Sequence, residues 1–182
     1  MNLYSQRDPT YSSLKLGSTT IGKDGCVVMS LATILQVDPL LILNVKGAFN
    51  SLGECDIKRV LEYFGAKLTY RGRSRPTGIC MAKTAYYKKA GVPTHFFPYI
   101  PETNECIDPL QHPTFRGKNM YPISEYLWID GVKLDFTAED LQKRITIAEN
   151  ALKRGRLTGL RESSVVYFIN RAKKILSSLL SL

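Results

Sequence analysis

With 182 residues, 44% of them hydrophobic, the chain is long enough for one ordinary domain plus an extension and too short for two full-sized ones. That apolar content, with charges of both signs, excludes an intrinsically disordered tail. A net charge of +9 favours an anionic partner, but no run of like charge, zinc-type CxxC pair, Walker loop or Gly-rich dinucleotide fingerprint is present, so a nucleic-acid partner would rest on bulk charge alone and is not expected.

In chain order, residues 1–17 read as irregular, with Asp8-Pro9 as a turn and Tyr4, Leu14 and Leu16 pinning the segment to the core. After a Gly-bearing loop, CVVMSLATILQ places Val27, Val28, Leu31, Ile34 and Leu35 at helical spacing, which predicts a buried helix starting at or near Cys26. Asp38-Pro39 opens a second helix through PLLILNVKGAF. A third, DIKRVLEYFG, carries apolar residues at 57, 60, 61 and 64 and stops at Gly65.

From Lys67 the pattern turns to strand. AKLTYRGR is followed by a loop and a short helical piece around MAKTAYYKKAG, then by VPTHFFPYI and ECIDPL, separated by the hairpin-sized Pro101 to Asn104. EYLWIDGVKLDF reads as a further strand with Asp130-Gly131 as a hairpin turn. The expected class is α+β, with N-terminal helices on a small antiparallel sheet. From Thr137, with a capping-box variant at Thr137 and Asp140, the chain returns to helix. Residues 137–182 hold nine Lys/Arg against four Asp/Glu, five of the nine net charges. They are read as a basic helical extension beyond a domain of residues 1–136. Its apolar face (Val165, Val166, Phe168, Ile169, Ala172, Ile175, Leu176, Leu179, Leu180) calls for self-packing or self-association first, and a membrane surface or a larger particle second.

The N-terminus has no apolar signal-peptide core and no apolar stretch reaches membrane-spanning length, so synthesis in the cytosol is expected, with any action outside the cell needing lysis, a particle or a dedicated route. Cys26, Cys55, Cys80 and Cys106 show no disulfide-type spacing and are expected to be reduced. No cofactor or metal motif is found.

A nucleophilic cysteine needs a stabilised thiolate, a base and donors for an oxyanion. Cys26 heads a buried helix, where the dipole and unpaired N–H groups favour a thiolate. The other three cysteines read as packed core. The chain has two histidines, His95 in an apolar strand and His112 beside Pro113 in a loop. If Pro101 to Asn104 form a four-residue loop, Ile100 faces Glu105, Phe97 faces Asp108, and His95 becomes a diagonal neighbour of Asp108 on one sheet face. Against this stand ordinary roles: a packed neutral imidazole for His95 and a turn aspartate before Pro109 for Asp108. Gly22 and Gly25 allow close backbone approach near Cys26. Trp128 and Tyr86-Tyr87 are read first as packing aromatics and second as groove lining.

The stretch from Tyr4 to Leu35, with Gln6, Leu16-Gly17, Thr20-Ile21-Gly22 and Gly25-Cys26, resembles the start of the double-glycine (bacteriocin-processing) peptidase-like branch of the papain-like cysteine peptidases, which includes phage and bacterial lysin-type domains. THFF around His95 and CIDPL around Asp108 follow in the family's order. The resemblance spans about residues 3–130. It implies a papain-like fold, with Cys26 as nucleophile, His95 as base, Asp108 orienting it and Gln6 lining the oxyanion hole. It also implies a peptidase or amidase acting on bacterial cell-wall cross-peptides or a leader peptide, carried in a phage virion or released to the wall. Asp24, two residues before Cys26, departs from what a thiolate favours. The alternative is a non-catalytic binding or structural protein on the same scaffold, a virion component or host-target binder docked through its basic helices.

Overall fold

The computed structural model describes residues 2–84 and 94–131, and isolated helical positions between 142 and 173. The chain divides into two compact units, Met1–Val132 and Lys133–Leu182.

In the first unit the N-terminal segment is more ordered than its sequence suggests. Asp8 caps a one-turn helix α1 (Pro9–Ser12) by accepting from Thr10 N at 2.8 Å, and Tyr11 is buried edge-on to Tyr4. Leu14 and Leu16 are buried as expected. A two-residue hairpin, β1 (Lys15–Leu16) and β2 (Thr19–Thr20), leads into another one-turn helix, α2 (Ile21–Asp24). The expected loop before Cys26 is therefore a hairpin and a helical turn.

Helix α3 (Cys26–Leu35) starts at Cys26 and is buried at every position but Val27. Its end is closed by Gln36 in the left-handed region, whose side chain exchanges hydrogen bonds with the Asn2 backbone at 2.7 and 3.1 Å. Asp38 caps α4 (Pro39–Leu43) through Leu40 N at 2.8 Å and also accepts from the buried Tyr11 hydroxyl. The helix is shorter than its apolar run. Helix α5 (Ile57–Tyr63) buries Val60 and Leu61 and stops at Gly65, whose φ of 76° a side chain would resist.

The remaining strands are β3 (Lys67–Gly72), β4 (Cys80–Thr84), β5 (His95–Ile100), β6 (Glu105–Asp108), β7 (Phe115–Lys118) and β8 (Glu125–Asp130). They form one six-stranded antiparallel sheet in the order β3-β8-β4-β5-β6-β7. Met81 to Thr84, expected at the start of a short helix, are strand, because pairing with β5 and β8 on either side overrides the helix preference of Met, Ala and Lys. Residues 85–93, which include Tyr86-Tyr87, lie outside the described residues, as do residues 132–141, which hold the second half of the hairpin expected at Asp130-Gly131.

Helix α3 packs on β4, β5 and α4, and Ser30 Oγ donates to Phe96 O at 3.1 Å. A separate apolar cluster joins Cys80, Ala82, Phe97, Tyr99 and Cys106, flanked by Phe115, Tyr121, Ile123 and Tyr126. Cys80, Met81 and Ala82 are buried in succession, as a central strand covered on both faces requires. The architecture is α+β, with a two-stranded hairpin, a larger antiparallel sheet and a few helices.

In the second unit, Gln142, Ile145, Thr146, Glu149 and Asn150 are helical, as are Val166, Ile169, Asn170 and Lys173. Ile145 and Ile169 are buried, Val166 is exposed, and Lys173 pairs with Glu149 at 2.9 Å. Thr137, Asp140 and most of the expected apolar face lie outside the described residues. Among the described residues no helix is long and apolar enough to cross a membrane.

Candidate active site

The site forms where the head of α3 meets the start of β5. Two glycines allow the approach. A Cβ on Gly25 would lie 2.4 Å from Ile21 O, and one on Gly22 would lie 2.8 Å from Ser12 O, so only glycine lets α2 fold tightly between the N-terminal segment and α3. Cys26 is thereby the first residue of α3, 9% exposed, at the wall of a cleft of about 440 Å³.

His95 opens β5 and lines the same cleft. The four-residue loop 101–104 sets the hairpin register, with Ile100 opposite Glu105 and Tyr99 opposite Cys106. That register carries Asp108 to His95, and Nε2 of the ring lies 2.9 Å from Asp108 Oδ1 with both side chains fully buried. Burial pulls the ring's pKa down, but the hydrogen bond to Asp108, the neighbouring Cys26 thiol and the charges of both outweigh it and hold His95 up to about 9. Burial also opposes ionisation of Asp108, yet donors from His95, Tyr121 and the Leu110 amide keep its carboxyl below the usual range. The structure therefore brings Cys26 and His95 together at one cleft and hydrogen-bonds the imidazole to a buried carboxylate, an arrangement that can exchange a proton between thiol and imidazole with the imidazolium supported by Asp108.

Gln6 also lines the cleft, buried and tied down from both sides. Its backbone N–H donates to Pro109 O at 2.8 Å, and its amide Nε2 donates to Gly22 O at 3.2 Å and Lys23 O at 3.4 Å. The amide is thus placed beside the turn that carries Cys26. Giving an N–H to an oxyanion would require releasing the longer of these two bonds.

Asp24, the departure noted in the sequence, is exposed, and its carboxylate accepts from the Thr19 hydroxyl. Glu54 at the cleft wall accepts from Asn50 Nδ2 at 2.6 Å, and Arg71 pairs with Glu125 at 2.9 Å. The wall residues 50–55 form a tight turn: Asn50 Oδ1 accepts from Leu52 N at 3.0 Å and Glu54 N at 2.9 Å, and Gly53 (φ 88°) meets Leu16 O so closely that a Cβ there would sit 2.3 Å away.

Cys80 and Cys106 are in the apolar cluster, and Cys55, half-buried, faces the cleft. Burial, with nearby carboxylates, pushes Cys55 and Cys80 up to about 12 and Cys106 to about 11. His112 is exposed and does not line the cleft. Trp128 packs on Tyr70 with ring centroids 5.1 Å apart and is not part of the cleft wall. Sequence reasoning missed Tyr121, whose hydroxyl donates to Asp108 Oδ2 at 2.5 Å, and Gln111, which reaches the same oxygen at 3.3 Å. Nothing in the loop around Tyr121 distinguishes it from any surface aromatic. Among the described residues no group of three or more His, Cys, Asp or Glu is placed to hold a metal ion.

No protein-family model, curated protein or solved structure matches the chain.

Proposed function

We propose that the chain is a cysteine peptidase or amidase of papain-like type, hydrolysing peptide bonds through Cys26, His95 and Asp108. The observation that carries this reading is a cleft wall that holds the Cys26 thiol together with an imidazole gripped by a fully buried aspartate. A purely structural cysteine has no need of an open cleft, and a purely structural histidine has no need of a thiol.

With Nε2 committed to Asp108, Nδ1 is the nitrogen left to exchange a proton with Cys26. The sulfur attacks the carbonyl carbon, the carbonyl π pair moves to oxygen, and the oxyanion draws on the Cys26 backbone N–H and the Gln6 amide. Collapse expels the amine, which takes its proton from the His95 imidazolium and leaves a thioester on Cys26. Water, deprotonated by His95, then attacks the thioester and releases the acid, restoring the thiol. The resemblance directs the search for substrate to bacterial cell-wall cross-peptides and leader peptides, with a phage particle or lysis as the route to the wall.

The test is alkylation followed by hydrolysis. Iodoacetamide at neutral pH should modify Cys26 at least about tenfold faster than Cys55, Cys80 or Cys106. Cleavage of purified peptidoglycan or a peptide library should vanish in Cys26→Ala and His95→Ala while the circular dichroism stays unchanged. Equal alkylation of all the thiols would leave only the binding-scaffold reading.

A further inference from the structure

The carboxylate that orients His95 is itself held by more than a turn. Oδ1 of Asp108 meets His95 Nε2 and Leu110 N, each at 2.9 Å, while Oδ2 receives the Tyr121 hydroxyl at 2.5 Å and Gln111 Nε2 at 3.3 Å. What happens at one oxygen is felt at the other, because the two share a single charge. The Tyr121 ring also stands edge-on to His95, centroids 6.0 Å apart, and against Phe97 at 5.1 Å.

Tyr121 is placed from outside by Asn119. Its backbone N–H donates to Asn119 Oδ1 and its carbonyl accepts from Asn119 Nδ2, both at 3.0 Å. Asn119 N in turn donates to Asn104 O at 2.8 Å, in the loop that joins the strand bearing His95 to the strand bearing Asp108. One loop therefore fixes base, carboxylate and the residue that clamps the carboxylate.

We infer that Tyr121 is a positioning residue of the site, acting through Asp108 to fix the direction of the His95 ring and to moderate its proton affinity. The inference rests on the proposed peptidase reading for its kinetic consequence, though not for its electrostatic one. A hydroxyl on Oδ2 draws carboxylate charge away from Oδ1 and weakens the grip on an imidazolium. A ring held less tightly is a stronger acid toward the leaving amine. Among the described residues, titratable groups facing His95 include Cys26 from α3, Asp108 from β6 and Tyr121 from the segment after β7, and those facing Asp108 include His95, Tyr121 and Cys106.

The test is Tyr121→Phe, which keeps the ring and removes the donor, read by titrating the His95 imidazole with nitrogen-15 NMR. The expected result is an upward shift of at least about half a unit. Tyr126→Phe, in the same aromatic cluster, should leave the titration where it was. On any peptide the wild type cleaves, kcat of Tyr121→Phe should fall about tenfold with KM unchanged. Asn119→Ala should move the titration in the same direction by less, and carries the test if Tyr121→Phe does not fold. An unmoved or lowered His95 titration in a folded variant overturns the inference. A raised titration in a protein whose Cys26 alkylates no faster than its other thiols upholds the electrostatic role and sinks the peptidase reading instead.

Discussion

Replacing Gly25 by alanine isolates the packing that delivers the thiol to the cleft. The backbone at Gly25 has φ −81°, open to any residue, so the obstacle is space and not conformation. The added methyl would sit 2.4 Å from Ile21 O and 2.8 Å from Ile21 Cα, and bringing the first contact to 3.0 Å, the least that real Cβ atoms show, takes a shift of about 0.6 Å. Both neighbours are backbone and cannot rotate aside. The strain should cost about 1–3 kcal/mol, visible as a lower urea midpoint at unchanged slope. A displacement of 1 Å can cost about a hundredfold in a positioned reaction, so a shift of this size should cost about tenfold. The assay compares alkylation of Cys26 by a peptidyl vinyl sulfone, which must align in the cleft, with alkylation by iodoacetamide, which need not. The variant should lose about tenfold with the first reagent and little with the second. A wild-type midpoint together with a wild-type vinyl sulfone rate would refute the idea that this glycine is there for close approach.

The raised pKa of His95 makes stability depend on pH in a defined direction. The folded state holds the ring proton more tightly than the unfolded chain does, so the contribution is complete below about 6.5 and is lost as pH rises through about 9. Urea unfolding across that window should show stability falling with pH, and His95→Gln should flatten the fall. Cys26→Ala should lower the His95 pKa, since the neighbouring thiol raises it; NMR titration reads the shift directly. Asn50→Ala removes the acceptor for two backbone N–H groups in the cleft wall and should raise KM severalfold while kcat holds, measured on the same peptide as the Cys26 variants.

The place of Cys26 at the head of α3 and the pairing of His95 with Asp108 were legible because each follows a strong local rule. Val27, Val28, Leu31, Ile34 and Leu35 define one helix phase, so the position of Cys26 at its head follows from spacing. The length of the loop from Pro101 to Asn104 sets the register that brings His95 to Asp108. Where only tertiary pairing decides, the residues are silent. Phe115 to Lys118 carry one large apolar side chain in four and become a strand by lying against β6. Ile21 to Asp24 contain a glycine and read as loop, yet close a helical turn against the N-terminal segment. Tyr121 reaches Asp108 through space from a segment with no periodicity, which no pattern along the chain encodes.

The tether between the N-terminal segment and the turn after β6 has a consequence for biosynthesis. Ser5 and Gln6 both bind Pro109 O, and the Ser5 contact closes over 104 residues. Contacts of such long range form late, once intervening elements have docked. A nascent chain thus emerges carrying the Cys26 sulfur long before the His95 imidazole, and the cleft that holds both closes only after synthesis has passed Pro109 and supplied β7 and β8 to the sheet.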